Sequence, residues 1–524
     1  MKVFTKISVL CIYMIYGTHY GQTNLPYNES FTSGTIPAGI TLPSAANGSR
    51  VNATVFTNMG ALLTQDTATQ FGSLLLQNYA FSNANGVQIE FEYEMSGGTP
   101  NNPADGISVF LYDANETGSI GHWGRGLGYT YNRTTSAYRT YGVKGAYLMV
   151  GFDQFANSRA RGGSGNEVVQ GMSATFGERS MVVIRGGFNK SGITDDEKYF
   201  YGYPLLAVQS TIYKQTPGSS SYAGGRLDYV NGNYTFDNYN IPDATFSLRG
   251  GKSFQSENDI GYRKAYVILK PMSSGGFYIT VKVKGNDNGT VFTRTIYDNL
   301  PYPTSLNFPE NAQIIPTGSD PNSYNVKNLD SSPPDLFKIG FAATTGTFNQ
   351  KHLIKNLTVS LPYMPDTVDD QAKYCHASAL TEYVEINPFL NDILFKGSIA
   401  DDLTPLGGNS NLHIDFDSFR FQNGEIILAP NTTNSFNGNL LELTTSEGVW
   451  AYNKVNGKVQ FKPKRNFVGI ASIEYTVKGF GNSAVDGPFG QELYRSSPRS
   501  ISIEVFECGG SSNPAIQSGS YKKH

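Results

Sequence analysis

Three cysteines, two tryptophans and little charge set the first limits on this 524-residue chain. So few cysteines exclude a small fold held together by disulfides. Beyond the N-terminus no apolar run is long enough to cross a bilayer, so no membrane helix is expected. Asp, Glu, Lys and Arg make up 16% of the residues, against about 25% in ordinary soluble chains. The 40 Lys and Arg nearly balance the 43 Asp and Glu, which argues against nucleic acid or an anionic membrane as a partner. The six histidines stand at no metal-ligand or triad spacing, so a zinc site or a Ser–His–Asp constellation has no support. No long amphipathic helix is legible either. What abounds is glycine (57), tyrosine (33) and phenylalanine (32), the composition of strands joined by tight turns.

The first residues have the form of an export signal. Lys2 and Lys6 precede a short apolar run from Ile7 to Tyr16, and small or polar residues follow. Residues 1–21 are therefore expected to be removed, with cleavage at Gly21–Gln22, leaving a secreted or cell-surface protein. Cys11 lies inside the apolar run after Leu10, where a lipid-anchor site would have a small residue. Cys375 and Cys508 remain and bracket the last folded region, so a disulfide between them is expected; two unpaired thiols are the alternative.

Val87 to Met95 alternates strictly, with Val87, Ile89, Phe91, Tyr93 and Met95 on one side and Gln88, Glu90, Glu92 and Glu94 on the other. That is a strand with one buried and one solvated face. Ile107–Tyr112, Tyr147–Phe152, Phe337–Phe341 and His352–Ser360 read as further strands. Phe277–Lys284 and Val291–Ile296 form a hairpin around Gly285–Gly289. Residues 190–260 and 300–335 are rich in Gly, Pro, Ser and Asn and read as long loops or insertions. A boundary falls near Leu361–Asp366. Beyond it Asn456–Gly457 marks a two-residue hairpin between Trp450–Val455 and Lys458–Phe461, and Ile470–Val477 and Ser500–Phe506 complete a smaller β region. The expected organisation is 1–21 signal, 22–365 large β-sandwich with insertions, 366–509 smaller β domain and 510–524 flexible tail.

Four ordered segments carry a resemblance. They are Ala104-Asp105-Gly106-Ile107-Ser108-Val109-Phe110-Leu111, Gly124-Arg125-Gly126-Leu127-Gly128-Tyr129, Val150-Gly151-Phe152-Asp153-Gln154-Phe155-Ala156-Asn157, and Ile339-Gly340-Phe341-Ala342-Ala343-Thr344-Thr345-Gly346. In this order and at strand edges they resemble the L-type (legume-type) lectins. The resemblance spans about 25–361 and implies an all-β, concanavalin-like jelly-roll sandwich that binds glycan or polysaccharide. It assigns Asp105, the Gly124-Arg125-Gly126 loop, Phe155 and Asn157 to the sugar site, closed by Thr347 and Phe348. It also implies a cis Ala104–Asp105 peptide. The residue types suit sugars. A carboxylate accepts from two hydroxyls, an amide both donates and accepts, and a ring can lie against the C–H face. Trp123, beside the second segment, could stack on a sugar or plug the loop onto the sandwich.

The departures concern metals. The glutamate that ligates a transition metal in the plant members is Gly151 here, and Ser158–Ser164 supplies no further Asp or His, so that metal is not expected. Calcium is the one cofactor the pattern leaves open, on Asp153, the Phe155 carbonyl and Asn157. Calcium takes six to eight oxygens, and Arg159 and Arg161 would oppose it. Arg125 stands where many members have glycine.

Glu90, Glu92 and Glu94 have the spacing of glycoside-hydrolase carboxylates on one strand face. The middle residue of that motif is Asp, and the surrounding aromatic pattern is missing, so hydrolysis by Glu90 and Glu94 ranks last. Farther on, Asn391-Asp392-Ile393-Leu394, Gly457–Pro463 and Phe467–Val477 resemble the cadherin-like, immunoglobulin-like repeats of bacterial surface proteins, over about 380–508. The combined expectation is a bacterial carbohydrate-binding protein without catalytic activity. The alternative is an adhesin or scaffold whose lectin-like fold has lost its pocket.

Overall fold

In the computed structural model the described residues are 25–46, 50–131, 140–159, 180–188, 202–212, 224–235, 245–272, 274–308, 327–362, 364–365, 367–376, 383–390, 392, 414–424, 426–429, 436–437, 439–479 and 494–507. They are strands and turns, and the 3-10 turn Gly124–Gly126 sits at the candidate site. The expected signal at 1–21 and the tail at 510–524 lie outside them. Among the described residues no helix is long and apolar enough to cross a membrane.

The chain is all-β: a jelly-roll sandwich followed by a smaller β-sandwich. The first layer orders Thr290–Tyr302, Phe277–Asp287, Arg263–Pro271, Val87–Ser96, Lys351–Ser360, Gly60–Thr64 and Val55–Thr57, with Tyr27–Glu29 also on Lys351–Ser360. The second orders Asn233–Thr235, Gly224–Asp228, Leu205–Ser210, Met181–Gly186, Ala146–Asp153, Gly106–Asp113, Leu336–Thr344, Phe71–Leu76 and Ile40–Thr41. Alternation places Ile89, Phe91, Tyr93 and Met95 against Ile107, Val109, Phe152 and Phe341 in one core. Phe91 meets Phe341 and Phe152 edge-on, at 5.0 and 5.8 Å between centroids.

The outer face of the second layer is also covered. Phe110, Met149 and Val183 point there and pack under Leu127, Tyr129 and Tyr203. This is why Gly106–Asp113 and Ala146–Asp153 read as nearly continuous apolar runs: each is buried on both faces. The loop 121–130 lies flat because Ser108 Oγ donates to the Leu127 carbonyl at 2.7 Å and Tyr129 OH to the Gly186 carbonyl at 3.0 Å.

Several expectations need correction. The Glu-bearing face of Val87–Ser96 is not solvated; Gln88, Glu90 and Glu94 are buried. Glu90 pairs with Lys264 at 2.7 Å, and Glu94 with Lys351 at 2.5 Å while accepting from Ser96 and Ser253. Strict alternation reported strand geometry correctly, but apposed lysines and the segment around Ser253 and Phe254 cover the polar side. The presumed insertions contribute strands: Leu205–Ser210, Gly224–Asp228 and Asn233–Thr235 extend the second layer, and Ser305–Phe308 pairs with Lys327–Asp330. The first hairpin turns only at Asn288–Gly289, both at positive φ, and its strands run longer on each side. The Asn456–Gly457 turn is a four-residue loop closed by Asn453 opposite Lys458, with Gly457 N–H donating to the Asn453 carbonyl at 2.8 Å.

The smaller sandwich stacks the sheet Asp370–His376, Arg499–Glu507, Gly469–Gly479, Ile414–Asn423, Ile426–Ala429 on a second sheet containing Lys458–Pro463 and Gly448–Asn453. Its core holds Trp450, Phe419, Tyr452 and Tyr475, with the Phe419 and Tyr452 rings stacked at 3.7 Å. Asp392 is buried and accepts from Val368 N–H at 2.8 Å and Tyr475 OH at 3.1 Å, tying the start of the unit to its centre. Cys375 is disulfide-bonded; Cys508 lies outside the described residues.

His352 sits wholly buried in the first layer, 2.6 Å from Thr64 Oγ1 through Nδ1 and 3.1 Å from Gln350 Nε2 through Nε2. Burial pushes its pKa down to about 3 from 6.5. The unfolded chain therefore binds one more proton below its ordinary value, and stability falls as pH falls from ~6.5 towards ~3. His352→Gln should remove up to ~1.4 kcal/mol per pH unit of that acid sensitivity. Urea unfolding of both proteins across this range checks it; parallel pH dependences would refute it.

Candidate carbohydrate site

The four resembling segments converge at one end of the second layer. Gly106–Asp113 lies between Ala146–Asp153 and Leu336–Thr344, with Gly106 opposite both Asp153 and Thr344. Asp105, Asp153 and Thr344 are therefore brought together by strand register alone.

The Ala104–Asp105 peptide is cis. Asp105 N–H donates to the Thr344 carbonyl and the Asp105 carbonyl accepts from Phe155 N–H, each at 2.9 Å. The side chain is 4% exposed. Its Oδ2 accepts from Thr344 Oγ1 at 2.7 Å and its Oδ1 from Asn157 Nδ2 at a long 3.5 Å. Burial pushes the carboxyl up to about 6, against those two hydrogen bonds and the charges of Arg50 and Arg125, which hold it down.

Asp153 is fully buried and builds the next loop. Its Oδ1 accepts from Ala156 N–H at 2.7 Å and its Oδ2 from Ser158 N–H at 2.6 Å. Burial pushes it up to about 7; the Ser158 N–H bond opposes this and the Asp105 carboxylate adds to it. Ser158 Oγ then donates to the Arg125 carbonyl at 2.7 Å, and Arg185 donates to the Ser158 carbonyl from Nε and Nη2 at 3.0 and 2.9 Å. The Phe155 ring lies 5.5 Å from that of Phe348, while Thr347 is exposed beside it. Gly346 runs against Asp105: a Cβ there would come within 3.9 Å of Oδ2. Gly124, at φ +62, has open space where a side chain would stand.

The structure thus brings together Asp105, Gly124, Arg125, Gly126, Phe155, Asn157 and the Gly346–Phe348 turn. Trp123 is held from within the protein, with the Arg50 guanidinium 3.6 Å over its ring and His122 stacked at 4.5 Å. That favours the plug over a free stacking platform. Sequence reasoning passed over Thr344, although it stands in the fourth segment. It also passed over Arg50 and Arg185, whose chain positions carry no local signal. Arg161 lies outside the described residues.

Gly151 offers no side chain to a second metal, and a Cβ there would press on Leu127 Cδ1 at 3.1 Å and Met149 Cε at 3.2 Å. For calcium the donors fit. Asn157 Oδ1 is buried with no hydrogen-bond partner. Asp105 and Asp153 are two buried carboxylates, and the charge of Asp105 helps to raise Asp153. Among the described residues no group of three or more His, Cys, Asp and Glu surrounds a common point, so carbonyl and amide oxygens would complete such a site.

The chain matches no protein-family model and no curated protein. Solved structures similar to it are L-type lectin domains. One is the VIP36 exoplasmic/lumenal domain in its Ca2+/Man3GlcNAc-bound form, at 13% identity and a TM-score of 0.30, covering 64% of this chain and 90% of that one. Another is lectin I-B4 from Griffonia simplicifolia, metal-free, at 14% and 0.31, covering 64% and 98%. A third is the Emp47p carbohydrate recognition domain, at 9% and 0.29, covering 64% and 94%.

Asp153→Ala should leave the buried Ala156 and Ser158 N–H groups without an acceptor, at about 1–3 kcal/mol each. Chemical denaturation checks this. An unchanged midpoint would mean that the carboxylate does not hold the loop.

Proposed function

We propose that this protein binds glycan or polysaccharide, without catalysis, at the Asp105 pocket. The observation that carries the reading is the pairing of Asp105 with Asn157. The carboxylate has acceptor capacity beyond its two hydrogen bonds, and the amide oxygen beside it has no partner. A carboxylate acceptor beside an amide suits vicinal hydroxyls. Phe155 and Phe348 supply an apolar wall for a C–H face, and the Gly124 and Gly346 backbone keeps the approach open. Calcium, if bound, would be held by Asp153, the Phe155 carbonyl and Asn157 and would supply positive charge that stiffens the 153–158 loop.

A hydrolase reading loses ground at its own carboxylates. Glu90 and Glu94 are buried in ion pairs with Lys264 and Lys351, so neither has room to flank a glycosidic bond. In this reading the smaller sandwich is an immunoglobulin-like spacer, its first and last strands joined by a Cys375–Cys508 disulfide, and the signal at 1–21 delivers the chain to the exterior or a cell surface.

The test is a glycan and polysaccharide array with the full chain, wild type beside Asp105→Ala, in calcium and in chelator. Wild type should bind a related set of saccharides. Asp105→Ala should bind roughly 10- to 100-fold more weakly, the cost of losing a charged acceptor. Chelation should weaken binding and lower the melting temperature. Equal binding by the variant would rule out this pocket, and no chelator effect would remove calcium from the account.

A further inference from the structure

We infer that the saccharide recognised at this site carries an anionic substituent, a carboxylate or a sulfate, and that Arg50 selects it. This rests on the carbohydrate reading above and narrows its ligand class.

Arg50 is fixed twice. Its guanidinium lies 3.6 Å over the Trp123 ring, and its Nη1 donates to the Thr345 carbonyl at 2.8 Å. The first restraint sets the plane of the fork and the second its position. A guanidinium has five N–H donors; Arg50 gives one to Thr345, and among the described residues no acceptor takes the others. It is half-exposed, so those donors remain open to a ligand.

A second guanidinium stands on the same rim. Arg125 belongs to the Gly124–Gly126 turn, whose backbone Ser158 pins, and its side chain is half-exposed. Both arginines lie close enough to act on the Asp105 carboxylate and on His122. His122 adds no third charge, because burial and the two arginines keep its imidazole neutral. The fork of Arg50 therefore stands beside the Asp105 carboxylate with donors that Asp105 does not take. Hydroxyls of a neutral sugar are served by Asp105 and Asn157, which leaves the remaining Arg50 donors without a role. A pre-oriented fork with unused donors beside a hydroxyl-binding carboxylate matches a uronate or a sulfated sugar, whose planar or trigonal oxygens take two parallel N–H bonds.

The experiment measures calorimetric binding of the full chain to polygalacturonate, a sulfated galactan and a neutral galactan, at low and high salt. Wild type should favour at least one charged polymer, with affinity falling as salt rises. Whichever arm binds assigns carboxylate or sulfate. Arg50→Gln should lose roughly tenfold or more for that polymer. Arg50→Lys, which keeps the charge without the fork, should fall between. Lys373→Gln, a surface change in the smaller sandwich, should match wild type. Melting curves separate lost recognition from lost fold, and if Arg50→Gln does not fold, Arg50→Lys carries the comparison. A preference for the neutral polymer, or full binding by Arg50→Gln, overturns this inference and leaves the carbohydrate reading standing. Folded wild type that binds no saccharide on either the array or this panel overturns both.

Discussion

The Asp153 carboxylate, buried at a strand end and capped by two backbone N–H groups, is the constraint on which the rest of the site depends. It curls residues 153–158 into one compact turn. That turn delivers Phe155 N–H to the Asp105 carbonyl, sets Asn157 beside the Asp105 carboxylate and sends Ser158 to the Arg125 carbonyl. Arg185 holds the far end from beneath. Few of these contacts involve surface groups, so the geometry depends little on solvent or salt. A carboxylate desolvated this completely is costly, and the cost is offset by hydrogen bonds that fix the loop. Pre-organisation of that kind leaves less ordering for a ligand to bear.

The sheets explain why this turn sits where it does. Three adjacent strands carry Asp105, Asp153 and Thr344 at their ends, and antiparallel register alone aligns them. The loop 121–130 then roofs the outer face of the same layer, so the Gly124–Gly126 rim lies over the strand ends. Small residues stand where the roof comes closest to the sheet. Gly151 sits under Leu127 and Gly128 against Ala342.

Much of this was legible in the sequence, and the omissions have physical causes. Alternation in Val87–Met95 and the apolar runs at Ile107–Tyr112 and Tyr147–Phe152 reported strands because side-chain direction in a strand is a local property. Which face is wet is not local. Glu90 and Glu94 look solvated until Lys264 and Lys351 from other strands are brought over them. Leu205–Ser210 and Gly224–Asp228 were hidden in segments rich in turn-forming residues, where tertiary pairing overrides a weak local preference. Asp105, Phe155 and Asn157 were legible because each falls in a segment with its own pattern. Arg50 was not, since its place on Trp123 exists only after distant parts of the chain meet.

In the smaller sandwich, Asp370–His376 and Arg499–Glu507 are neighbours and run parallel. If this unit ties a ligand-gripping head to a surface, tension enters at one strand and leaves at the other. With the Cys375–Cys508 bond proposed above, that tension would pass from the first strand through the disulfide to the chain beyond Glu507, so a covalent bond rather than the ladder between the strands would carry the load. Such a joint resists a tug far better than its equilibrium stability alone would indicate.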